Sequence, residues 1–400
     1  MERPVSTGVE FAFETFQIID NLSTHEPTPV CFVEAIVSCD GPFHRIRRSP
    51  FAIAHASSPQ MPHTHRRLQA LPHPWLSPLR GHIAILLLLA GAAAGGCAPK
   101  VEPTTFAELD YPVPTRHLTL SDGTRIAYAD QGQGARTLLL IHGLGSYLPA
   151  WSRNIPAISR DHRVIALDLP GYGRSDKTLP SHTLPVFRDV VIEVLDSLGV
   201  ERAVLGGHSM GGQVALLTAL DHPDRIEALV LVAPAGIERF TPEDREWFSR
   251  MISPAAIRMV PAMLVEPQVK LNFHTFPEQA RFMVEDRIAV MDDPAFADYA
   301  RAQSESIFSM LDTPVADRLG ELAAPVLMVF GRQDALIPNT TLHPDLTLDG
   351  LLDQARGAIS GLRIEQVDSA GHLVQFERPE AVNPLIMNFL DELEDSSTRP

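Results

Sequence analysis

The feature that most constrains this chain is a serine between two glycines, Gly207-His208-Ser209-Met210-Gly211, at a strand-to-helix junction. Residues 203–205 have the pattern of a buried strand, and residues 213–220 have that of an amphipathic helix. A side chain at position 207 or 211 would collide with the neighbouring strand and helix, so a strained turn can lift the Ser209 hydroxyl clear of a sheet. The pattern predicts Ser209 as a nucleophile.

A serine hydroxyl needs a histidine base and a carboxylate that orients the base. Asp334 follows the predicted strand at residues 326–330, and His372 follows Gly371 in a later loop. The order Ser209, Asp334, His372 is typical of a nucleophile that stands on such a turn. Asp368 is the rival acid, but its closeness to His372 along the chain makes it the poorer orienter. We therefore predict a triad of Ser209, Asp334 and His372.

A tetrahedral oxyanion needs donors beside the nucleophile. The loop at residues 140–145 follows the third predicted strand, so the backbone N–H groups of Leu144 and Met210 are the predicted donors. We expect His142 to shape this loop rather than to transfer protons. The glycine-rich residues 168–175 lack the lysine signature of a phosphate-binding loop and are interpreted as a structural turn.

Short apolar runs alternate with helical patterns up to residue 232, which predicts an α/β fold with a mostly parallel sheet. Two of the runs, at residues 117–120 and 125–130, flank an Asp-Gly turn and predict an opening hairpin. The alternation stops after residue 232. Residues 236–322 then have a mostly helical pattern before a strand returns at Val326. An insertion of that length between core strands predicts a cap.

From about residue 115 to 395 the chain resembles the α/β-hydrolase superfamily of esterases, lipases and C–C bond hydrolases. The resemblance rests on His142-Gly143, the turn at residues 168–175, the Gly207–Gly211 elbow, Asp334 and His372. It implies an eight-stranded, mostly parallel sheet flanked by helices, a cap inserted before Val326, and neither a cofactor nor a metal. Superfamily members with aspartate at the elbow, the dehalogenases and soluble epoxide hydrolases, are disfavoured by Ser209. The polar segment at residues 339–361 departs from the pattern and makes a helix there uncertain.

The N-terminal residues have the order of an export signal. Residues 83–94 are apolar, three arginines precede them between Met61 and Cys97, and small residues follow. We interpret residues 61–97 as a signal peptide with a lipobox-like Cys97, residues 98–114 as a tether, and residues 1–60 as a non-native or disordered extension. The start codon is left open between Met1 and Met61.

This interpretation predicts an exported protein, held on a membrane through acylated Cys97 and facing the periplasm or cell exterior. An uncleaved anchor and cleavage by ordinary signal peptidase are the alternatives; cleavage would leave a periplasmic or secreted protein. The formal net charge of −16 disfavours nucleic acid as a partner. No cysteine follows Cys97, which excludes disulfides, thiolate metal sites and a cysteine nucleophile from the domain at residues 115–395.

The predicted cap is rich in methionine and phenylalanine, which favours an adaptable apolar wall or simple packing of cap helices. The candidate pocket residues are Trp151, Met251, Met259 and Met263. The sequence thus predicts a serine hydrolase that cleaves a small, lipophilic carboxylic ester. Hydrolysis of C–C bonds or amides, acyl transfer, perhydrolysis and an inactive envelope lipoprotein stay open, as does the oligomeric state.

Overall fold

An eight-stranded sheet forms the centre of the computed structural model, which describes residues 101–134 and 136–397. The strands are β1 (Arg116–Thr119), β2 (Arg125–Gln131), β3 (Thr137–Ile141), β4 (Arg163–Leu167), β5 (Ala203–His208), β6 (Ile226–Val232), β7 (Val326–Gly331) and β8 (Arg363–Val367). Their order is β1-β2-β4-β3-β5-β6-β7-β8. Strand β2 pairs antiparallel with both β1 and β4, and all other neighbouring strands pair parallel. The α/β-hydrolase fold class is confirmed.

The central strands are apolar because helices cover both faces of the sheet. Every residue of β5 and β7 is buried, and four of the five residues of β3 are buried. The predicted hairpin is present, with Thr119 opposite Arg125 across the Asp-Gly turn. Since β3 and β5 are neighbours, the loop that follows β3 lies beside the turn that follows β5.

The helices are α1 (Ile155–Ile158), α2 (Leu184–Ser197), α3 (Met210–Asp221), α4 (Pro242–Met251), α5 (Pro254–Arg258), α6 (Val265–Lys270), α7 (Arg281–Ala289), α8 (Phe296–Asp312), α9 (Leu348–Ala358), α10 (Val374–Glu377) and α11 (Pro379–Ser397). Helix α9 occupies the segment in which the sequence left a helix uncertain. Ten of the twelve residues of α3 are buried, because this helix, which directly follows Ser209, packs against the sheet.

Five helices, α4 to α8, lie between β6 and β7 and form the inserted cap. Two of these helices begin with an N-cap side chain that accepts a backbone hydrogen bond. The Thr241 side chain accepts a hydrogen bond from the Asp244 N–H at the start of α4, and Ser253 accepts one from Ala256 at the start of α5. The longest cap helix, α8, buries one face against the core and exposes the other.

The predicted tether at residues 98–114 is wrong for the part that the structure describes. Phe106, Leu109, Tyr111 and Val113 are buried, because apolar side chains on this segment pack against the core and the cap. The Phe106 ring lies 5.2 Å from the ring of Tyr299 on α8. Residues 104–113 therefore belong to the folded domain.

Residues 1–100 lie outside the described residues, and with them the predicted N-terminal extension, the signal peptide and Cys97. Within the described part, no helix combines the length and the apolar character that crossing a membrane requires.

Candidate active site

Ser209 stands on a strained turn between β5 and α3, with φ 52° and ψ −117°. A non-glycine residue adopts this left-handed region rarely, and strain of this kind is concentrated at functional sites. The turn needs its glycines. A Cβ atom on Gly207 would come within 2.3 Å of the Gly211 carbonyl oxygen, and one on Gly211 would come within 2.4 Å of the Ile141 carbonyl oxygen. The backbone is therefore packed too closely for side chains on either side of the serine.

His372 and Asp334 are hydrogen-bonded. His372 Nδ1 lies 2.8 Å from Asp334 Oδ2, and both side chains are almost completely buried. The other carboxylate oxygen of Asp334 accepts hydrogen bonds from the N–H groups of Leu336 (2.8 Å) and Ile337 (3.0 Å). These contacts fix the acid, which in turn orients the imidazole.

The rival acid has a different environment. The Asp368 side chain is 81% exposed and forms an ion pair with Arg332 at 2.6 Å. An exposed pair of this kind contributes little to stability. Asp334, and not Asp368, is therefore the carboxylate that is hydrogen-bonded to His372.

His208, which the sequence analysis did not single out, connects the two loops of the site. Its Nε2 lies 3.1 Å from the carbonyl oxygen of His372, and the two imidazole rings are 4.7 Å apart. Burial, together with the nearby His372, lowers the pKa of His208 well below 6.5. The ring is thus neutral at pH 7 and donates its Nε2 proton to the His372 loop.

The loop after β3 lies beside Ser209. The cavity at Ser209 is lined by Leu144, and a Cβ atom on Gly143 would come within 3.2 Å of Ser209 Cβ. Within the described part of the chain, the backbone N–H groups of Leu144 and Met210 donate to no protein acceptor. Both remain available to a bound oxyanion.

His142 shapes this loop. Its Nε2 accepts a hydrogen bond from the Leu169 N–H at 3.0 Å, so its Nδ1 carries the proton and donates to the Gly143 carbonyl oxygen at 2.8 Å. Burial lowers the pKa of His142, which keeps this neutral tautomer. With both ring nitrogens engaged, His142 has a structural role.

The turn at residues 168–175 is held by its own aspartate. The Asp168 carboxylate accepts hydrogen bonds from the N–H groups of Leu148 and Arg174, both at 2.7 Å, and from the Tyr111 hydroxyl at 2.6 Å. A Cβ atom on Gly173 would overlap this carboxylate. Asp168 therefore stabilises this turn from within.

A buried carboxylate, Glu377, joins the histidine loop to the cap. It accepts hydrogen bonds from the N–H groups of Gly371 (2.8 Å), His274 (3.1 Å) and Thr275 (2.7 Å). The Leu373 N–H adds a further bond to the carbonyl oxygen of the cap residue Asn272, at 2.8 Å. Glu377 thus fixes the backbone next to His372 and the facing cap loop at the same time.

The cavity beside Ser209 and His372 has a volume of about 370 Å³. It lies between the core and the cap. Its apolar wall comes from α4, α5 and α8 and includes Phe248, Ile252, Ile257, Val260, Ile307 and Met310. Such a wall suits an apolar substituent.

The four predicted pocket residues do not line this cavity. Trp151 is fully buried in the core, and Met251 packs against a small apolar cluster of the cap. Met259 and Met263 point outwards, with 65% and 50% of their surface exposed. The prediction was wrong because composition does not tell which side of a cap segment faces inwards; Met310 is the methionine that lines the cavity.

Part of the cavity lining is polar. Arg287 of α7 and Gln303 of α8 line it, near Ser146 of the loop after β3. The Arg287 guanidinium donates to the Tyr299 hydroxyl and lies 4.7 Å from the centre of that ring. With its amide oxygen turned towards α7, Gln303 accepts from Arg287 at 3.2 Å. A positive charge is therefore held in the cavity wall.

A second cluster of ionisable groups, the His343 cluster, joins the start of the cap to the loop after Asp334. It consists of His343, Glu238 and Asp244, and His343 contacts the carboxylates at 2.5 Å and 3.3 Å. Burial alone would lower the pKa of His343, but its bonds to both carboxylates raise the pKa above 6.5. Burial also raises the pKa of Glu238. Below its raised pKa, His343 carries a positive charge that stabilises this connection.

Residues 136–379 match the family model described as alpha/beta hydrolase fold, and they include Ser209, Asp334 and His372. The match spans more than half of the chain. The chain belongs to the α/β-hydrolase family. In this α/β-hydrolase, the described residues contain no group of three or more His, Cys, Asp and Glu side chains that would hold a metal ion.

Relatives in the family differ in chemistry. A 2-hydroxy-6-oxononadienedioate/2-hydroxy-6-oxononatrienedioate hydrolase of Paraburkholderia phymatum is 31% identical over 68% of this chain and 94% of its own length. The dihydrolipoyllysine-residue acetyltransferase component of the acetoin cleaving system of Cupriavidus necator is 31% identical over 67% of each chain. A thermophilic esterase from Thermogutta terrifontis superposes with a TM-score of 0.57 and 25% identity, over 70% of this chain and 99% of its own.

Proposed function

We propose that this α/β-hydrolase cleaves a carboxylic ester with an apolar substituent, through an acyl-enzyme on Ser209. The observation that carries the proposal is the buried Asp334–His372 hydrogen bond, which ends at a cavity shared with Ser209. The apolar wall from α4, α5 and α8 supports a lipophilic substituent. The likeness to a thermophilic esterase agrees with ester chemistry.

In the acylation step, His372 takes the proton of the Ser209 hydroxyl as the oxygen attacks the ester carbonyl carbon. Since Nδ1 of His372 faces Asp334, the free Nε2 is the atom that accepts this proton. The N–H groups of Leu144 and Met210 stabilise the tetrahedral oxyanion. His372 then gives the proton to the leaving alcohol, which departs and leaves Ser209 acylated.

Deacylation repeats these steps with water. His372 removes a proton from the water molecule, the resulting hydroxide attacks the acyl carbon, and the second tetrahedral oxyanion uses the same two donors. Collapse of this intermediate releases the carboxylic acid and returns the proton to Ser209. No cofactor takes part in this scheme.

The test is the hydrolysis of p-nitrophenyl esters across acyl lengths by the parent and two serine variants. Ser209→Ala should lower kcat by about 10³-fold or more, since it removes the nucleophile. Ser146→Ala is the matched control, because Ser146 lines the same cavity and takes part in none of the proposed steps. Equal activity of the parent and Ser209→Ala would refute the proposal.

Hydrolysis of a C–C bond on the same triad is the second candidate, because a specific feature of the cavity favours it. The relative from Paraburkholderia phymatum is named for dienedioate and trienedioate substrates, which carry two carboxylates. Arg287 places a positive charge in the cavity wall of this chain, where it suits a substrate carboxylate.

The two candidates separate in one assay. A 2-hydroxy-6-oxo-dienedioate loses its conjugated absorbance on C–C cleavage, so its decay is compared with ester hydrolysis at matched concentrations. Faster turnover of the dienedioate, lost in Arg287→Gln, would place C–C hydrolysis ahead. Turnover of esters alone would retain the first proposal. Transfer of the acyl group to an added alcohol or thiol tests acyltransferase activity in the same reaction mixture.

We also propose that the protein is exported and anchored through Cys97. The support is the sequence alone: an apolar run at residues 83–94 that ends in small residues before the cysteine. Cell fractionation of the parent and Cys97→Ser tests this, with the parent expected in the membrane fraction and the variant in the soluble exported fraction. Recovery of the parent in the cytosol would refute the proposal.

A further inference from the structure

The cap segment at residues 252–265 has two different sides. Ile257 and Val260 line the cavity, and the Ile257 side chain is buried. Met259 and Met263, which alternate with them, expose 65% and 50% of their surface. One short segment is therefore the wall of the active-site cavity on its inner side and an apolar surface on its outer side.

Among the described residues, Met259 and Met263 are the large hydrophobic side chains that are exposed. Large exposed apolar side chains on a folded protein mark interaction sites when they occur together. Pro254, Ala255 and Pro261, all exposed, extend the surface around the two methionines. The only charged residue at positions 252–265 is Arg258, in a chain whose net charge is −16.

We propose that residues 252–265 dock on the surface of a phospholipid bilayer, with Met259 and Met263 inserted among the acyl chains. Methionine side chains are flexible and apolar, so they fit a disordered hydrocarbon region. Arg258 can reach the phosphate groups while its stem lies along the apolar boundary. Positions 252–265 hold no acidic side chain, and the adjacent Glu266 is paired with Lys270 at 2.7 Å and Arg281 at 3.0 Å, so this segment meets less repulsion at an anionic surface than the rest of the chain.

Docking would place the cavity wall at the lipid boundary. Because Val260 lines the cavity and directly follows Met259 in the chain, an apolar ester could pass from the bilayer to Ser209 along one apolar segment. This delivery role depends on the proposed ester hydrolysis, whereas docking itself does not. The two are therefore tested by separate measurements.

Insertion is tested by fluorescence quenching on the full-length chain in which Cys31, Cys39 and Cys97 are replaced by serine. Met259→Cys, labelled with nitrobenzoxadiazole, is mixed with vesicles of phosphatidylcholine and phosphatidylglycerol that carry nitroxide groups on their acyl chains. The matched control carries the same label at Gln354→Cys, an exposed position on α9 of the core. We expect a blue shift and strong quenching at position 259 only. Equal quenching at both positions, or none at position 259, would overturn the proposal.

Delivery is tested with the double variant Met259→Ser/Met263→Ser. It should hydrolyse soluble p-nitrophenyl acetate as the parent does, because neither methionine lines the cavity. Hydrolysis of a long-chain ester dissolved in the same vesicles should fall by about tenfold, as expected when two apolar side chains no longer leave water. An equal rate on the vesicle-borne ester would overturn the delivery role. If the parent hydrolyses no ester at all, the proposed function fails, and the quenching result still decides on docking.

Discussion

Glu377 offers the most detailed prediction, because its carboxylate bonds three backbone N–H groups across the interface of the core and the cap. Glu377→Gln keeps the shape and exchanges one oxygen for an NH₂ group. Oε1 accepts from Thr275, and Oε2 accepts from His274 and Gly371. Whichever way the amide turns, at least one N–H then faces another donor.

The cost follows from these contacts. A hydrogen bond to a charged group contributes about 1.5–3 kcal/mol, and a buried donor left without a partner costs about 1–3 kcal/mol. We expect Glu377→Gln to lower the free energy of unfolding by about 2–4 kcal/mol and the Tm by about 5–10 °C. Because Gly371 precedes His372, kcat should also fall, while KM for a short ester changes little.

The assay combines thermal unfolding, followed by circular dichroism, with ester kinetics below the Tm of the variant. Glu380→Gln is the matched control, since the Glu380 side chain is 64% exposed and its nearest cation, on Arg378, lies 3.7 Å away. The control should unfold within about 1 °C of the parent, as expected for an exposed pair. A Tm and a kcat for Glu377→Gln that match those of the control would refute this account of the interface.

Three further predictions concern the acid, the elbow and the His343 cluster. Asp334→Asn should lower kcat by about 10³- to 10⁴-fold, because the histidine loses its orienting carboxylate, whereas Asp368→Asn should stay within about twofold of the parent in the same ester assay. Gly207→Ala should destabilise the fold by more than about 3 kcal/mol in urea titrations, since its Cβ would meet backbone atoms, and Gly357→Ala, with open space around its Cβ, should stabilise α9 by about 0.5–1 kcal/mol. Because the pKa of His343 is raised in the folded state, its stabilising contribution is complete below about pH 6.5 and is lost as the pH rises through the raised pKa. Urea titrations across this range should show that loss in the parent and not in His343→Gln; the same pH dependence in both would contradict the assignment.

The strands of the core were predictable because they are buried on both faces. The predicted strand at residues 203–205 is the first half of β5, which continues in the structure through Gly206, Gly207 and His208. Two glycines and a histidine have no strand-like pattern, so periodicity did not predict the last three residues of β5. Helix α9 was uncertain for a related reason, since only three of its eleven residues are buried.

The site was predictable where chemistry fixes both residue type and order. Asp334 follows the predicted strand at residues 326–330, His372 follows Gly371 in a later loop, and the structure brings the two side chains together. Glu377 and His208 were missed because each contacts backbone atoms of a distant segment, which no local pattern reveals. In the sequence, the only hint is that Glu377 stands five positions after His372, directly behind the apolar Phe376.

The amino-acid composition of the cap was not enough to predict which of its residues line the cavity. Counting methionines predicted an apolar wall, and the cavity does have one, but isoleucine, valine and phenylalanine supply most of it. Which side of residues 252–265 faces inwards depends on how α5 packs against α8, a tertiary contact between segments about 50 residues apart.

The central claim, that Ser209 is the nucleophile of an acyl-enzyme, is tested most directly by covalent labelling. The protein is treated with a fluorophosphonate, and the adduct is located by mass spectrometry of peptides in the parent, Ser209→Ala and Ser146→Ala. We predict one adduct, on the peptide that contains Ser209, in the parent and in Ser146→Ala, and none in Ser209→Ala. An unlabelled parent, or an adduct that persists in Ser209→Ala, would contradict the account.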